Sequence, residues 1–440
     1  MGLRSSRPDI NSATGLSSPQ RPFRAPRYGN RTVALNTLDL DLVVVFGTVV
    51  VTALIARWTQ LPITALEIVA GIGLITVFRF DLPTGSDSLL IFGSLLIVFL
   101  AGLETNLGFL RSNFRKALTM GLGGFLVPFA GLFTLLYYGV HAPLLISVIG
   151  ATVLADTSIS IVYTTLQQFE LTNLPFGRLI LAATLCVNLI EDFTITTTTF
   201  LTTPGFLFTL AVLGALAAAA LLLPYLSKAL ARPKAKGRFT NISARTLFFS
   251  LAVLALLSAL VGVPGILFVF LFGLMCSQFV GEEFLVNIRQ ISFAVFIPLY
   301  FLAVGLKVDL GFVVANLGLL LVIAAVASLL KIASIYTAAR GIMGTARAGP
   351  VAVLMNTRLT SATVILTLTL ALGIVSESWY SLFVSEVVIL AFGSVLALRL
   401  FPAFRSPELA RALFASTPEE AGATLEGGIL DPVRSRAPPP

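Results

Sequence analysis

The sequence predicts an all-α integral membrane protein: about thirteen transmembrane helices in an inverted repeat with two discontinuous helices. Three observations lead there. Of 440 residues 57% are hydrophobic and 11% charged, where an ordinary soluble domain carries roughly 25% charged residues, which excludes a soluble enzyme. Apolar runs of roughly 20 residues, enough to cross about 30 Å of hydrocarbon, tile almost the whole chain. Two of the runs are interrupted by small and polar residues, and they stand seven segments apart. An odd separation reverses direction, as in inverted repeats whose paired broken helices flank a site at the midplane.

Taken in order, the first three runs are 38–57, 61–78 and 87–104; among their charged residues, Glu67 and Glu104 lie near helix ends and read as caps or interfacial ion pairs. The fourth is 115–138. The fifth, 143–166, contains GATVLADTSISIV at 150–162, where Thr157, Ser158 and Ser160 can satisfy backbone groups if the helix unwinds around Asp156. Irregular backbone at membrane depth is tolerated only beside a cavity. A helix contact lined by Ser and Thr, with Asp156 capping its second half, is the plainer alternative. The sixth run, 175–203, carries Asn188, Glu191 and Asp192, which share one helical face because spacings of three and four superpose. Two adjacent carboxylates there cannot both be charged cheaply. The Thr residues at 194 and 196–199 bond back to carbonyls one turn earlier or wet a path.

The seventh to tenth runs are 205–226, 244–262, 264–281 and 285–304. The eleventh, 311–340, holds Lys331, which either snorkels to the interface or serves as charged partner to the sixth helix. The twelfth, 348–373, is broken by MNTRLTSAT at 355–363, where Arg358 brings a fixed positive charge near half-helix ends. The thirteenth, 378–400, carries Glu386, either paired with a neighbouring helix or functional. Charges in a bilayer core are costly and face protein interior or mark a pathway. Two tails, 1–36 and 401–440, are rich in Pro, Arg, Ser and Glu and are expected to be disordered. The first lacks the apolar core of a cleavable signal, and no appended soluble domain is expected.

The net charge of +8 has a topological cause. With the N-terminus outside, the cytoplasmic loops collect sixteen basic residues, among them Arg57, Arg115, Lys116, Lys234, Arg340 and Arg405, and the opposite side collects Arg79 and Lys307. Only the basic residues of the first tail disagree. No nucleic acid is needed as a partner. Cys186, Cys276 and the single His141 offer no disulfide framework and no resident metal site, and no cofactor is expected.

Several segments in order resemble the monovalent cation:proton antiporters of the second family, the Kef and Nap type of sodium or potassium/proton exchangers. They are LPITALEIVAGI at 61–72, FLAGLETNL at 99–107, VLADTSISIVYTTL followed by FGRLILAA, FIPLYFLAVGLKVDL at 296–310, LLKIASIYTAARGIMG at 329–344 and LMNTRLTSA at 354–362. The resemblance covers residues 38–400. It implies thirteen helices, a core domain moving against a dimerisation domain, and a homodimer in the cytoplasmic membrane. It also places Lys331 at the family's core lysine, and Val187 and Asn188 where the family usually has an Asp-Asp pair, so Asn188 replaces the ion-binding aspartate.

The resulting expectation is a secondary antiporter, not an enzyme, exchanging protons for a monovalent cation, Na⁺ ahead of K⁺. Asp192 is the first choice for the exchanging carboxylate, Glu191 the expected partner of Lys331, and Asp156 with the oxygens of Thr157 and Ser158 completes the shell around a transient Na⁺ or K⁺. A proton-coupled transporter of another solute and a non-transporting homologue are the alternatives.

Overall fold

The computed structural model describes residues 37–80, 86–103, 114–172, 174–202, 247–253, 256, 266–276 and 282–414. The tail at 1–36, Glu104, the run at 205–226 and residues 415–440 lie outside them. The chain divides into two units between Val43 and Val44, the first represented by the start of one helix. The second, from Val44 onward, holds the helix bundle.

The described residues form helices and no strand. They are α1 (Thr37–Thr59), α2 (Ile63–Phe78), α3 (Ser86–Leu103), α4 (Phe114–Thr134, continued by a π turn over Leu135–Gly139), α5 (Leu144–Leu154), α6 (Ile159–Gln168) and α7 (Pro175–Thr202). After these come α8 (Ile266–Cys276), α9 (Glu282–Ile291), a π turn over Ser292–Phe296, and α10 (Ile297–Leu306). The last are α11 (Leu310–Ala315), α12 (Leu317–Met343), α13 (Thr345–Leu354), α14 (Thr360–Ala371), α15 (Glu377–Leu398) and α16 (Pro407–Phe414). Among the described residues, six spans are long and apolar enough to cross a membrane, accompanied by four shorter apolar helices. This is a multi-pass membrane protein.

The expected run at 143–166 is broken into α5 and α6, and the run at 348–373 into α13 and α14, each at its predicted polar interruption. Both breaks leave a non-helical residue, Ser158 at φ −67° and ψ 108° and Leu359 at φ −164° and ψ −63°. The two chain segments meet there. Ser158 donates its backbone N–H to the Thr357 carbonyl at 2.7 Å, and the Thr157 hydroxyl donates to the Met355 carbonyl at 3.0 Å. Backbone groups freed by unwinding are thus satisfied by the opposite break, which is what allows irregular chain at membrane depth.

Around this crossing the helices pack in two groups. One comprises α4, α5, α6, α7, α12, α13 and α15; the other comprises α2, α3, α8 and α10, with α14 lying against α3, α5 and α15. In the second group small residues bring backbones into contact. A Cβ on Gly71 would overlap the Leu302 carbonyl, and one on Gly305 the Ile68 carbonyl, so α2 and α10 cross glycine to glycine. Gly102 and Gly273 do the same for α3 and α8. Such close approach is a common basis of helix association in lipid, where apolar burial supplies no driving force.

Two expectations differ from the structure. Glu67 lies in the second turn of α2, where it makes no cap; it is 1% exposed and neither carboxylate oxygen has a donor. The helix begins after Pro62, so position 67 lies beyond the first turn, whose N–H groups are the ones a cap would serve. Residues 402–414, expected within the disordered tail, form a 3₁₀ turn and α16. The reason is apolar spacing inside a polar composition: Phe404, Ala410 and Phe414 are buried, and Phe404 meets Phe169 edge to face at 4.9 Å. Arg347 Nε donates to the Leu413 carbonyl at 2.6 Å, and Arg411 pairs with Glu170 at 3.2 Å.

Candidate functional site

Four elements supply the site: the α5/α6 break, the α13/α14 break, α7 and α12. Asp156 follows the last turn of α5 and is fully buried. Its Oδ1 accepts the backbone N–H of Thr157, a local bond that holds the chain out of the helix, whereas its Oδ2 has no partner. The Asn188 amide, with its nitrogen turned toward the break as the surrounding acceptors require, donates to Asp156 Oδ1 at 3.2 Å and to the Thr157 carbonyl at 2.9 Å. Its other end faces Ser361 Oγ, 3.4 Å away on α14. Asn188 therefore works as a donor that fixes the break.

Glu191 lies on α7 with no exposed surface, its carboxyl within hydrogen-bonding reach of Asp156. With both groups ionised neither of its oxygens has a donor, so the pair is completed by a proton or a cation shared between them. Asp192, next in the chain, interacts electrostatically with Asp156 and Glu191 and keeps 3% of its surface open. Spacing alone ranks Asp192 ahead of Glu191, whereas the geometry brings Glu191 to Asp156.

Lys331 is fully buried and does not snorkel. Its ammonium donates to the carbonyls of Gly124 on α4, at 2.7 Å, and Ala155, at 2.6 Å. These bonds put a cation at the C-terminal end of α5, where the helix dipole favours it, and a side chain at Gly124 would press on Ile335 beside it. Lys331 is felt electrostatically by both Asp156 and Glu191, yet bonds to neither.

The second break is organised differently. Arg358 and Glu386, both without exposed surface, form an ion pair of 2.9 Å. Arg358 also donates to Asn356 Oδ1 at 2.9 Å, and the Asn356 amide bonds Ser394 at 3.1 Å and Ser328 at 3.3 Å. Of these last three, only Asn356 carries a signal in the sequence, by lying inside the polar interruption; Ser328 and Ser394 carry none. Between the breaks Ser158 Oγ lies 3.2 Å from both Ser160 Oγ and Thr360 Oγ1. Thr194, Thr198 and Thr199 bond back to carbonyls four residues earlier.

An inverted pair of broken helices, crossed at a sealed cluster of carboxylates with one lysine, defines a secondary transporter fold. The family model for the transmembrane sodium/hydrogen exchanger matches residues 44–401, and the chain belongs to this family of monovalent cation:proton antiporters. The match is to the family as a whole and singles out neither the Kef nor the Nap branch.

The chain is 27% identical over 265 residues to a probable Na⁺/H⁺ antiporter 3 of Methanocaldococcus jannaschii, covering 57% of this chain and 66% of that protein. It is 28% identical over 269 residues to a Na⁺/H⁺ antiporter of Enterococcus hirae, covering 56% and 67%. These matches span about two thirds of the relatives' lengths. Among solved structures, the sodium proton antiporter MjNhaP1 of Methanocaldococcus jannaschii superposes with a TM-score of 0.62 over 86% of this chain and 99% of that one, at 13% identity, a likeness of fold.

Proposed function

We propose that the protein exchanges protons for a monovalent cation, Na⁺ ahead of K⁺, and that the exchange takes place on Asp156 and Glu191 with Asp192 beside them. One observation carries the assignment: Asp156 Oδ2 and both Glu191 oxygens are buried without a donor on two carboxyl groups that lie within hydrogen-bonding reach of each other. A buried polar atom without a partner is expensive, and a transported ion or proton is the partner that can come and go.

The chemistry is competition for one pair of carboxyl groups. In the proton-loaded state a hydrogen bond closes the Asp156–Glu191 pair. A hard monovalent cation takes the place of that proton and finds only oxygen ligands, the carboxylates and the hydroxyls and carbonyls of the crossing. Lys331 holds a compensating charge near both carboxylates, and Asn188 keeps Asp156 oriented. Alternating access follows from movement of the group containing α5, α6 and α7 against the group containing α2, α3 and α10.

The same reading sets the protein in the cytoplasmic membrane with its C-terminus cytoplasmic and its N-terminus outside, supported by the sixteen-to-two loop asymmetry. The homodimer expected from the family resemblance belongs to it as well. The test is fluorescence dequenching in proteoliposomes holding the full chain, across Na⁺, K⁺ and Li⁺ at several pH values. Na⁺-dependent proton flux is expected; proton flux indifferent to all three cations would overturn the assignment.

A further inference from the structure

Two cavities lie between the helix groups on either side of the crossing. The larger, about 870 Å³, is lined by Thr76, Leu306, Lys307, Asp309, Ala371 and Glu377, and is on the outside by the loop charges. The smaller, about 130 Å³, reaches Thr64, Ser160, Phe301 and Thr360 on the other side. The layer between them contains hydroxyls that the ion site does not use. Tyr300 of α10 bonds Thr367 of α14 at 3.1 Å and has Thr363 within reach. Tyr380 of α15 donates to the Val304 carbonyl of α10 at 3.0 Å. Both tyrosines are buried, at 1% and 0% exposure.

We infer that Tyr300 and Tyr380 are positioning residues of the transport cycle, their hydroxyls latching α10 to α14 and α15 and so closing the floor of the larger cleft above the ion site. The placement follows along each helix. Leu306 lines the cleft and Tyr300 lies six residues deeper on α10; Ala371 lines it and Thr367 is one turn deeper on α14; Glu377 lines it and Tyr380 is one turn deeper on α15. Three helices thus carry their hydroxyl-bearing residues within about one turn of one another in depth, beneath the cleft and short of Thr360 at the crossing.

A hydroxyl floor suits a surface that must part and rejoin. Buried hydroxyls need partners, and in the closed state Tyr300 has the Thr367 hydroxyl and Tyr380 the Val304 carbonyl. When the cleft deepens, water from the adjoining cavity replaces those partners at little net change, because protein and water hydrogen bonds nearly exchange. An apolar floor would expose its surface to water on every opening. The role rests on the antiport reading only in requiring the two helix groups to move.

The experiment uses the full chain in liposomes with Cys186 and Cys276 replaced by alanine and Val364→Cys as reporter. Val364 is fully buried, one turn below Thr367 on the face it shares with Thr360. A membrane-impermeant maleimide is added from the Lys307 side. Tyr300→Phe and Tyr380→Phe should each raise the labelling rate about fivefold, the population shift that one net hydrogen bond supplies. The apparent KM for Na⁺ on that side should fall by a similar factor, with a smaller change in the maximal rate. Should Tyr300→Phe fail to fold, Thr367→Val deletes the same bond from the other helix. Unchanged labelling in the folded variants overturns the latch. Loss of the antiport reading would show separately, as absence of Na⁺-dependent flux in the unmodified protein with the labelling increase intact.

Discussion

The two helix breaks are built from the same plan and finished differently. At the α13/α14 break the charge is matched: Arg358 is paired with Glu386 and tied through Asn356 to Ser328 and Ser394. At the α5/α6 break it is not, since Asp156 and Glu191, with Asp192 beside them, have no ion pair, and the lysine near the first two donates its hydrogen bonds to carbonyls. Polar groups buried at equal depth therefore serve opposite ends. Arg358 Nε and Glu386 Oε2 also lack a partner, but each of the two side chains keeps an opposite charge in direct contact, whereas Glu191 has no donor on either oxygen. A network whose charges are matched fixes the backbone; a network left short of donors and cations waits for a ligand.

The comparison is broken most violently by removing one partner of the matched pair. Arg358→Met strands Glu386 in a fully buried position, and about 3–5 kcal/mol of stability should be lost, the usual cost of a buried charge without its partner. Thermal unfolding in detergent reads this as a large drop in Tm. Next in size is Glu191→Gln, which should lower cation-dependent proton flux about 100-fold or more, since one member of the proton-carrying pair can no longer titrate. Its Tm should hold or rise, because a carboxylate without a donor has been removed. A Tm loss as large as that of Arg358→Met would make the first break structural too.

Asp192→Asn should act more mildly. Asp192 is the member with residual exposure and no contact to Lys331, so loss of its charge should raise the apparent KM for Na⁺ about tenfold and leave turnover in place. Flux abolished at saturating Na⁺ would restore Asp192 as the exchanging carboxylate. The smallest effect belongs to Asn188→Ala. One donor to Asp156 and one to the Thr157 carbonyl disappear, and a shift of about fivefold in KM is expected from a net hydrogen bond, with the pH profile of flux moving along with it.

Much of this is legible in the sequence, for a physical reason. Hydrocarbon tolerates so little polarity that each exception stands out, and Asp156, Glu191, Asp192, Lys331, Arg358 and Glu386 are all visible as exceptions. Both helix breaks fall where hydroxyls crowd an apolar run. The pairing among the exceptions is hidden, because it depends on which helices touch. Arg358 meets Glu386 across 28 positions of chain, and Lys331 meets Ala155 across 176. Glu67 misleads because depth along a helix does not reveal which face is covered. Residues 402–414 mislead because composition averaged over a tail conceals three well-spaced apolar anchors.

The most direct test of the division between the two breaks is the Na⁺-dependent proton flux of Asp156→Asn in proteoliposomes, with the protein verified as monodisperse. Asp156 alone among the carboxylates touches Asn188, Glu191 and the break itself. Asparagine keeps its shape and can still accept the Thr157 N–H, but it can neither carry a proton near neutral pH nor offer a charge to a cation. The expected result is no Na⁺-dependent dequenching at any pH from a protein that still folds; flux equal to that of the unmodified chain would contradict the assignment of exchange to the α5/α6 break.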